Sequence, residues 1–277
     1  MVYVILTGLV ALPLVATAQA QSRDTAEAVT DRKDLVAFLQ EPAGEIARKY
    51  FEHRPYPLFA IRRLIELGDP AVIPVLHQAF AAETGVTRRQ FIAAAVVSLG
   101  DPDPQYFEYV AQAAREAIGN DLPFPVLMNG SNGSRLKTAY RPEFVRLVQE
   151  HGLDLTVALR EAALELPSSV EALGEAADPR SFSILLHGLD SPNIMIVRAA
   201  AFGLARLHDN SGIQPIIAAC TRLPLEERRM VAKALLYFDS SAQRAAETII
   251  ADRRLFERWQ AEVKRRGWKG AMRDNGH

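Results

Sequence analysis

The chain reads as an all-α protein, a right-handed stack of antiparallel helix pairs, and two observations carry that reading. Aspartates recur at one point of a repeat: Asp69 and Asp101 are 32 residues apart, and Asp178, Asp209 and Asp239 follow one another at 31 and 30. Apolar residues stand at fixed offsets before them. Two before are Leu67, Leu99, Ala176, Leu207 and Tyr237; five before are Leu64, Val96, Leu173, Leu204 and Ala234; eight before are Ile61, Ala93, Val170, Ala201 and Val231. A triplet at that spacing is one stripe of a helix, buried against neighbouring helices. No strand pattern interrupts it, and a period near 30 residues suits one helix pair per repeat.

Composition agrees. The 277 residues are 49% hydrophobic and 23% charged, enough to bury a substantial core without any sign of disorder. The net charge is -1, but residues 252–277 hold eight basic and four acidic side chains, leaving -5 for the rest. A mildly acidic body argues against a nucleic-acid protein, whose basic residues gather on one broad face. Cys220 is the single cysteine, which excludes an internal disulfide and a cysteine metal cage and reads as a small buried residue.

Taken in order, residues 1–20 read as a signal peptide. No side chain from Met1 to Ser22 is charged, and the apolar run Val2 to Val15 ends in the small-x-small sites Ala16-Thr17-Ala18 and Ala18-Gln19-Ala20. The start lacks a Lys or Arg before the apolar run, and an uncleaved anchor is the alternative. Export to the periplasm or beyond is the expectation, and a single thiol suits an oxidising compartment.

Residues 21–56 read as an N-terminal cap of two amphipathic helices, Asp24 to Gln40 and Glu41 to Arg54, the second with Pro42 in its first turn. Tyr50, Phe51, Tyr56 and Phe59 around Pro55 and Pro57 read as a staple onto the repeats.

Repeats fill 57–118. In the first, an apolar helix stops at Gly68, Asp69 is placed to cap the next helix, and Pro70 takes its first turn. The carboxylate accepts orphan backbone N–H bonds, and proline has no N–H to waste there. The second copy repeats this at Asp101.

Between Asp101 and Asp178 the 77 residues hold a degenerate pair turning at Asp154 plus an insertion, 119–140, with two prolines, three glycines and no helical period. Long irregular segments inside compact folds are usually functional or disordered. Phe124, Val126, Leu127 and Met128, with Tyr140, argue against simple disorder and leave two readings, a packed insertion or a loop that contacts a partner or ligand. Asn129-Gly130 and Asn132-Gly133 read as turns. Repeats resume through 141–251.

Residues 252–277 read as an amphipathic C-terminal cap, with Leu255, Phe256, Trp259 and Val263 on one face and basic residues on the others.

These residues resemble the HEAT-like repeats, specifically the short variety first named from phycobilisome lyases. The pattern is best matched by Val197, Arg198, Ala199 to Ala201, Leu204, Asp209 and Pro215, with five aligned copies over about 57–118 and 167–251. The resemblance implies an α-solenoid, a superhelix of antiparallel helix pairs with helical N- and C-terminal caps. It also implies that Arg198, with Asp69, Asp101, Asp178, Asp209 and Asp239, forms ladders and caps between repeats. For activity it is nearly silent, since one stack serves scaffolds, lyases and enzymes alike.

No catalytic constellation emerges. The histidines His53, His77, His151, His187 and His208 are followed by Arg, Gln, Gly, Gly and Asp, so the His-Glu dipeptides of the di-iron HEAT-like hydroxylases are absent. There is no G-x-S-x-G, P-loop, G-x-G-x-x-G or H-E-x-x-H. Both tryptophans lie in the tail, unlike the aromatic-lined groove of HEAT-like DNA glycosylases. The favoured reading is a non-enzymatic exported scaffold, without metal or cofactor. It would bind another protein or peptide through its concave face and the 119–140 insertion, with no nucleic acid and no membrane partner after signal cleavage. The alternatives are a lyase-like or chaperone-like factor that grips a substrate during modification, and a tail that binds anionic surfaces or nucleic acid.

Overall fold

A computed structural model describes residues 57–119, 126–130, 133–137 and 167–266, together with helical residues 35, 36 and 39. The helices are α1 (Pro57–Leu67), α2 (Ile73–Ala82), α3 (Val86–Ser98), α4 (Pro104–Gly119), α5 (167–175), α6 (Phe182–Gly188), α7 (Ile194–Arg206), α8 (Ile213–Thr221), α9 (Leu225–Ala232), α10 (Ser240–Ile250) and α11 (Arg253–Arg266). Short 3-10 turns, Pro70–Val72, Pro179–Ser181 and Asn210–Gly212, precede α2, α6 and α8, and a longer one, Lys233–Tyr237, continues α9.

The helices pack in two layers. In one, α1 lies against α3 and α7 against α9, with α5 between α3 and α7; in the other, α4 meets α6 and α8 meets α10. Cross-layer contacts join α2 and α4 to α3, α6 to α7, and α8 and α10 to α9 and its extension. The alanine-rich stripes are what bring the helices this close. Residues Gln90 to Val97 of α3 are buried without a break, so this helix is enclosed on every side. At the α5–α7 crossing the backbones meet at glycine: a Cβ added to Gly174 would lie 2.8 Å from Gly203 Cα. Leu35 and Leu39 belong to the same core, and Arg88 donates to the Leu39 carbonyl at 2.8 Å.

The helix ends repeat one device. A residue in the left-handed region closes the helix, at Gly68 (φ 64°), Gly100 (87°), Ala177 (50°), His208 (54°) and Ala251 (50°), and an aspartate follows each. At the α3 end the Asp101 N–H donates to Val96 O and the Gly100 N–H to Val97 O, which satisfies two orphan carbonyls. Asp69, Asp178 and Asp209 then accept from the N–H two residues on, at 3.0, 2.8 and 2.9 Å. Each capped N–H belongs to a 3-10 turn, so the α-helix itself begins later than the sequence spacing suggests. Asp239 follows an extended Phe238 and caps α10 directly, through Ser241 and Ala242 N–H.

Two sequence expectations change. Asp101 is not the cap of α4: it accepts from Asp103 N–H, and Asp103 in turn accepts from Gln105 N–H, because Pro102 and Pro104 push the helix start two residues on. The insertion holds an antiparallel hairpin, β1 (Val126–Gly130) and β2 (Gly133–Lys137), with Val126 opposite Lys137 and Gly130 opposite Gly133. Asn129-Gly130 is therefore strand rather than turn. A five-residue strand is short enough that its period cannot be told from loop by apolar pattern alone. The signal segment, most of the N-terminal cap, the pair around Asp154 and the end of the tail lie outside the described residues. Among the described residues no helix is long and apolar enough to cross a membrane.

Two measurements test this picture. Chemical denaturation should show Gly174→Ala losing about 1–2 kcal/mol, the overpacking cost less the helix propensity alanine returns. Ala251→Gly should gain about 1 kcal/mol, because a left-handed residue is strained with a Cβ. The second concerns acid. The Arg180 side chain holds the Asp178 carboxyl below its usual value, and hydrogen bonds from Ser211 and Ser241 do the same for Asp209 and Asp239. Lowered folded values give stability that is present above the ordinary aspartate value of about 3.9 and lost as pH falls below it. The melting temperature should therefore hold down to about pH 5 and drop below about pH 4, and Asp178→Asn should flatten that drop.

Candidate functional site

Among the described residues, a connected polar assembly starts from one side chain, Glu175, at the end of α5. It is 1% exposed and lies 3.1 Å from Arg62 Nε of α1 and 3.1 Å from Arg206 Nη1 of α7. Arg62 also reaches Glu171 at 3.4 Å. A carboxylate buried this deeply is tolerable only with paired charge and filled hydrogen bonds, and guanidinium forks supply both.

Arg62 gains this reach by crossing α3. Its guanidinium lies 5.0 Å over the Phe91 ring, and α3 offers only small residues, Ala94 and Ser98, at the repeat positions where α1 carries Arg62 and Glu66. A buried hydrogen bond from Ser169 Oγ to Gln90 Oε1, 3.1 Å, fixes α5 against α3 beneath it.

The assembly continues along α7. Met195, Arg198, Phe202 and Arg206 are half-buried, whereas every other residue of this helix is buried. Their 3-4-4 spacing puts them on one line, the only side of α7 that meets solvent. Arg198 stands 5.7 Å over the Phe202 ring, and Phe202 meets Tyr237 edge to face at 6.0 Å. The result is a row from α1 to the end of α9 of paired charges followed by a guanidinium and two aromatic rings.

Chemically the row presents ion pairs, a guanidinium over a ring and two aromatic rings. Its carboxylates are occupied by arginines and it contains no nucleophile beside a base. Cys220 is buried elsewhere, and burial pushes its thiol up to about 12, away from the reactive thiolate. Among the described residues, no three His, Cys, Asp or Glu side chains converge in a way that could hold a metal ion.

The residues singled out from sequence fall in separate places. Val126, Leu127 and Met128 are on β1, opposite Lys137, Leu136 and Arg135, while Phe124 and Tyr140 lie outside the described residues. Asp69, Asp101, Asp178, Asp209 and Asp239 each accept a backbone N–H at their own helix junction. Asp101 does more than turn the chain: it lies 2.9 Å from His77 of α2, whose ring stacks on Tyr106 of α4 at 4.8 Å. Arg198 is on the row described above. The sequence reading misses Arg62, Glu171, Glu175 and Arg206, although a signal exists. Three before the repeat aspartates stand Glu66, Ser98, Glu175, Arg206 and Leu236; seven before stand Arg62, Ala94, Glu171, Phe202 and Ala232. Opposite charges in one column mark Arg62 with Glu171 and Glu175 with Arg206, while the Arg62 to Glu175 pair joins the two columns.

No protein-family model, curated protein or solved structure matches the chain at a significant level.

The Glu175 pairs make a direct prediction. Glu175→Gln leaves two guanidiniums without their carboxylate and should cost about 3 kcal/mol by denaturation, the lower end for a buried pair because both arginines keep some solvent. Glu171→Gln, at a more exposed and longer contact, should cost under about 1 kcal/mol.

Proposed function

We propose that the protein is a non-enzymatic, exported helical-repeat scaffold of the short HEAT-like type, a solenoid whose concave face binds another protein or peptide. Support for the repeat type comes from the recurring left-handed residue and aspartate, the two helix layers, and the alanine stripes. The single observation that carries the binding role is the half-buried line Met195, Arg198, Phe202 and Arg206, joined by Tyr237. Interface centres are enriched in aromatic residues, methionine and arginine, and all three kinds stand here in one row. The side chains are already braced by one another and by the Glu175 pairs, so little rotamer entropy is left to lose on binding. The paired strands 126–130 and 133–137 within the insertion offer a second contact surface, of the kind to which an extended segment adds by backbone pairing.

Crosslinking and mass spectrometry in the native host would identify a partner and its compartment together. With that partner in hand, Phe202→Ala combined with Arg198→Ala should weaken binding at least about tenfold while the circular dichroism melt stays cooperative. Unchanged affinity in this double variant, and in a variant lacking residues 126–137, would remove both surfaces from consideration.

A further inference from the structure

The helix α11 presents a second surface of different character. Its apolar side is committed to the fold: Phe256 is buried, and Leu255, Trp259 and Val263 pack on the core. Lys233 Nζ sits 5.3 Å over the Trp259 ring and 3.4 Å from Glu262, and Gln260 Nε2 donates to Gln243 Oε1 at 3.2 Å. The helix is therefore docked and cannot turn its apolar side outward without losing those contacts.

What it leaves exposed is Arg253, Arg254, Glu257, Arg258, Ala261, Lys264 and Arg265. At about 100° per residue these fall within an arc of about 140°, along about 18 Å of axis. Five cations share that arc with one carboxylate, Glu257, which Arg253 already engages at 2.9 Å. A face that served only solubility would mix signs. Other outer faces do: α4 exposes Glu108, Arg115 and Glu116, and α10 exposes Arg244 and Glu247. The arc of α11 is predominantly basic, its one carboxylate engaged by Arg253.

We propose that this arc docks the protein on an anionic lipid bilayer, by charge alone and without insertion. The chemistry of the arc selects that partner. It has no aromatic ring on which a nucleobase could stack, and no Asn, Gln, Ser or Thr to read a base edge. It has no aromatic or aliphatic anchor of the kind that carries a protein interface. A flat array of anionic headgroups needs only a row of cations, and the buried apolar side removes the usual means of insertion for an amphipathic helix.

The test is co-sedimentation of the full chain with vesicles of zwitterionic phospholipid alone and of zwitterionic mixed with anionic phospholipid. Binding is expected only to the anionic vesicles, falling at least tenfold between about 0.05 and 0.5 M salt. The neutralised variant Arg254→Gln, Arg258→Gln, Arg265→Gln should bind at least tenfold more weakly with an unchanged thermal melt, and the charge-reversed variant with Glu at the same positions should not bind. Equal binding to both vesicle types, salt-insensitive binding, or full binding by the neutralised variant would overturn the proposal. So would tighter binding to duplex DNA than to anionic vesicles at the same salt.

Discussion

The pairing of Glu175 with Arg62 and Arg206 is the constraint on which the arrangement of the helices turns. A carboxylate taken out of water loses more hydration than one ion pair returns, so it is retained only where the geometry is fixed on both sides. Here the two guanidiniums come from α1 and α7, and the Arg62 to Glu175 contact closes a separation of 113 residues. That closure spans the whole insertion and the residues after it. In the second layer, among the described residues, the packing of α4 on α6 ties the early repeats to the late ones. Arginine suits the role better than lysine, since one planar group serves Glu171 and Glu175 together while resting on Phe91.

Close approach of the backbones is what makes the bridge reachable. Alanine at 93 to 95 keeps α3 thin, and the glycine pair 174 and 203 lets α5 and α7 touch. The cost appears at the helix ends. Three of the five left-handed closing positions are Ala177, His208 and Ala251, residues with a Cβ, so packing of the layers and not local preference decides where those helices stop. The aspartate that follows is the local compensation, because its carboxylate satisfies an N–H of the next turn.

Much of the helical architecture was legible because a repeat is a redundant signal: the residues five and eight before each aspartate, found five times, are all buried, whereas of those two before only Ala176 is, and Leu67 at a helix end is 40% exposed. Three features were hidden for different reasons. The hairpin occupies 126–137 without a counterpart in any other repeat, and the two-residue period of a short strand is too weak to separate from a loop. The start of α4 was displaced by two prolines whose effect depends on which aspartate the backbone chooses. The Glu175 row was visible only in columns three and seven before the aspartates, where charge changes from repeat to repeat, whereas regularity drew the eye to columns that stay apolar. The row itself resides in departures from the repeat.

The two outward surfaces differ in chemistry. Along α7 the half-buried line carries Met195, Arg198, Phe202 and Arg206, with Met195 and Phe202 packed on the core, Arg198 over the Phe202 ring and Arg206 on Glu175. On α11 the cations stand apart on long exposed side chains; Arg253 is 84% exposed. Such charges contribute little in a fixed geometry but sum over a broad anionic surface, within a Debye length of about 8 Å at physiological ionic strength. The two surfaces are carried by different helices, α7 within the Glu175 assembly and α11 against α10 and the extension of α9, so a substitution on one leaves the contacts of the other in place.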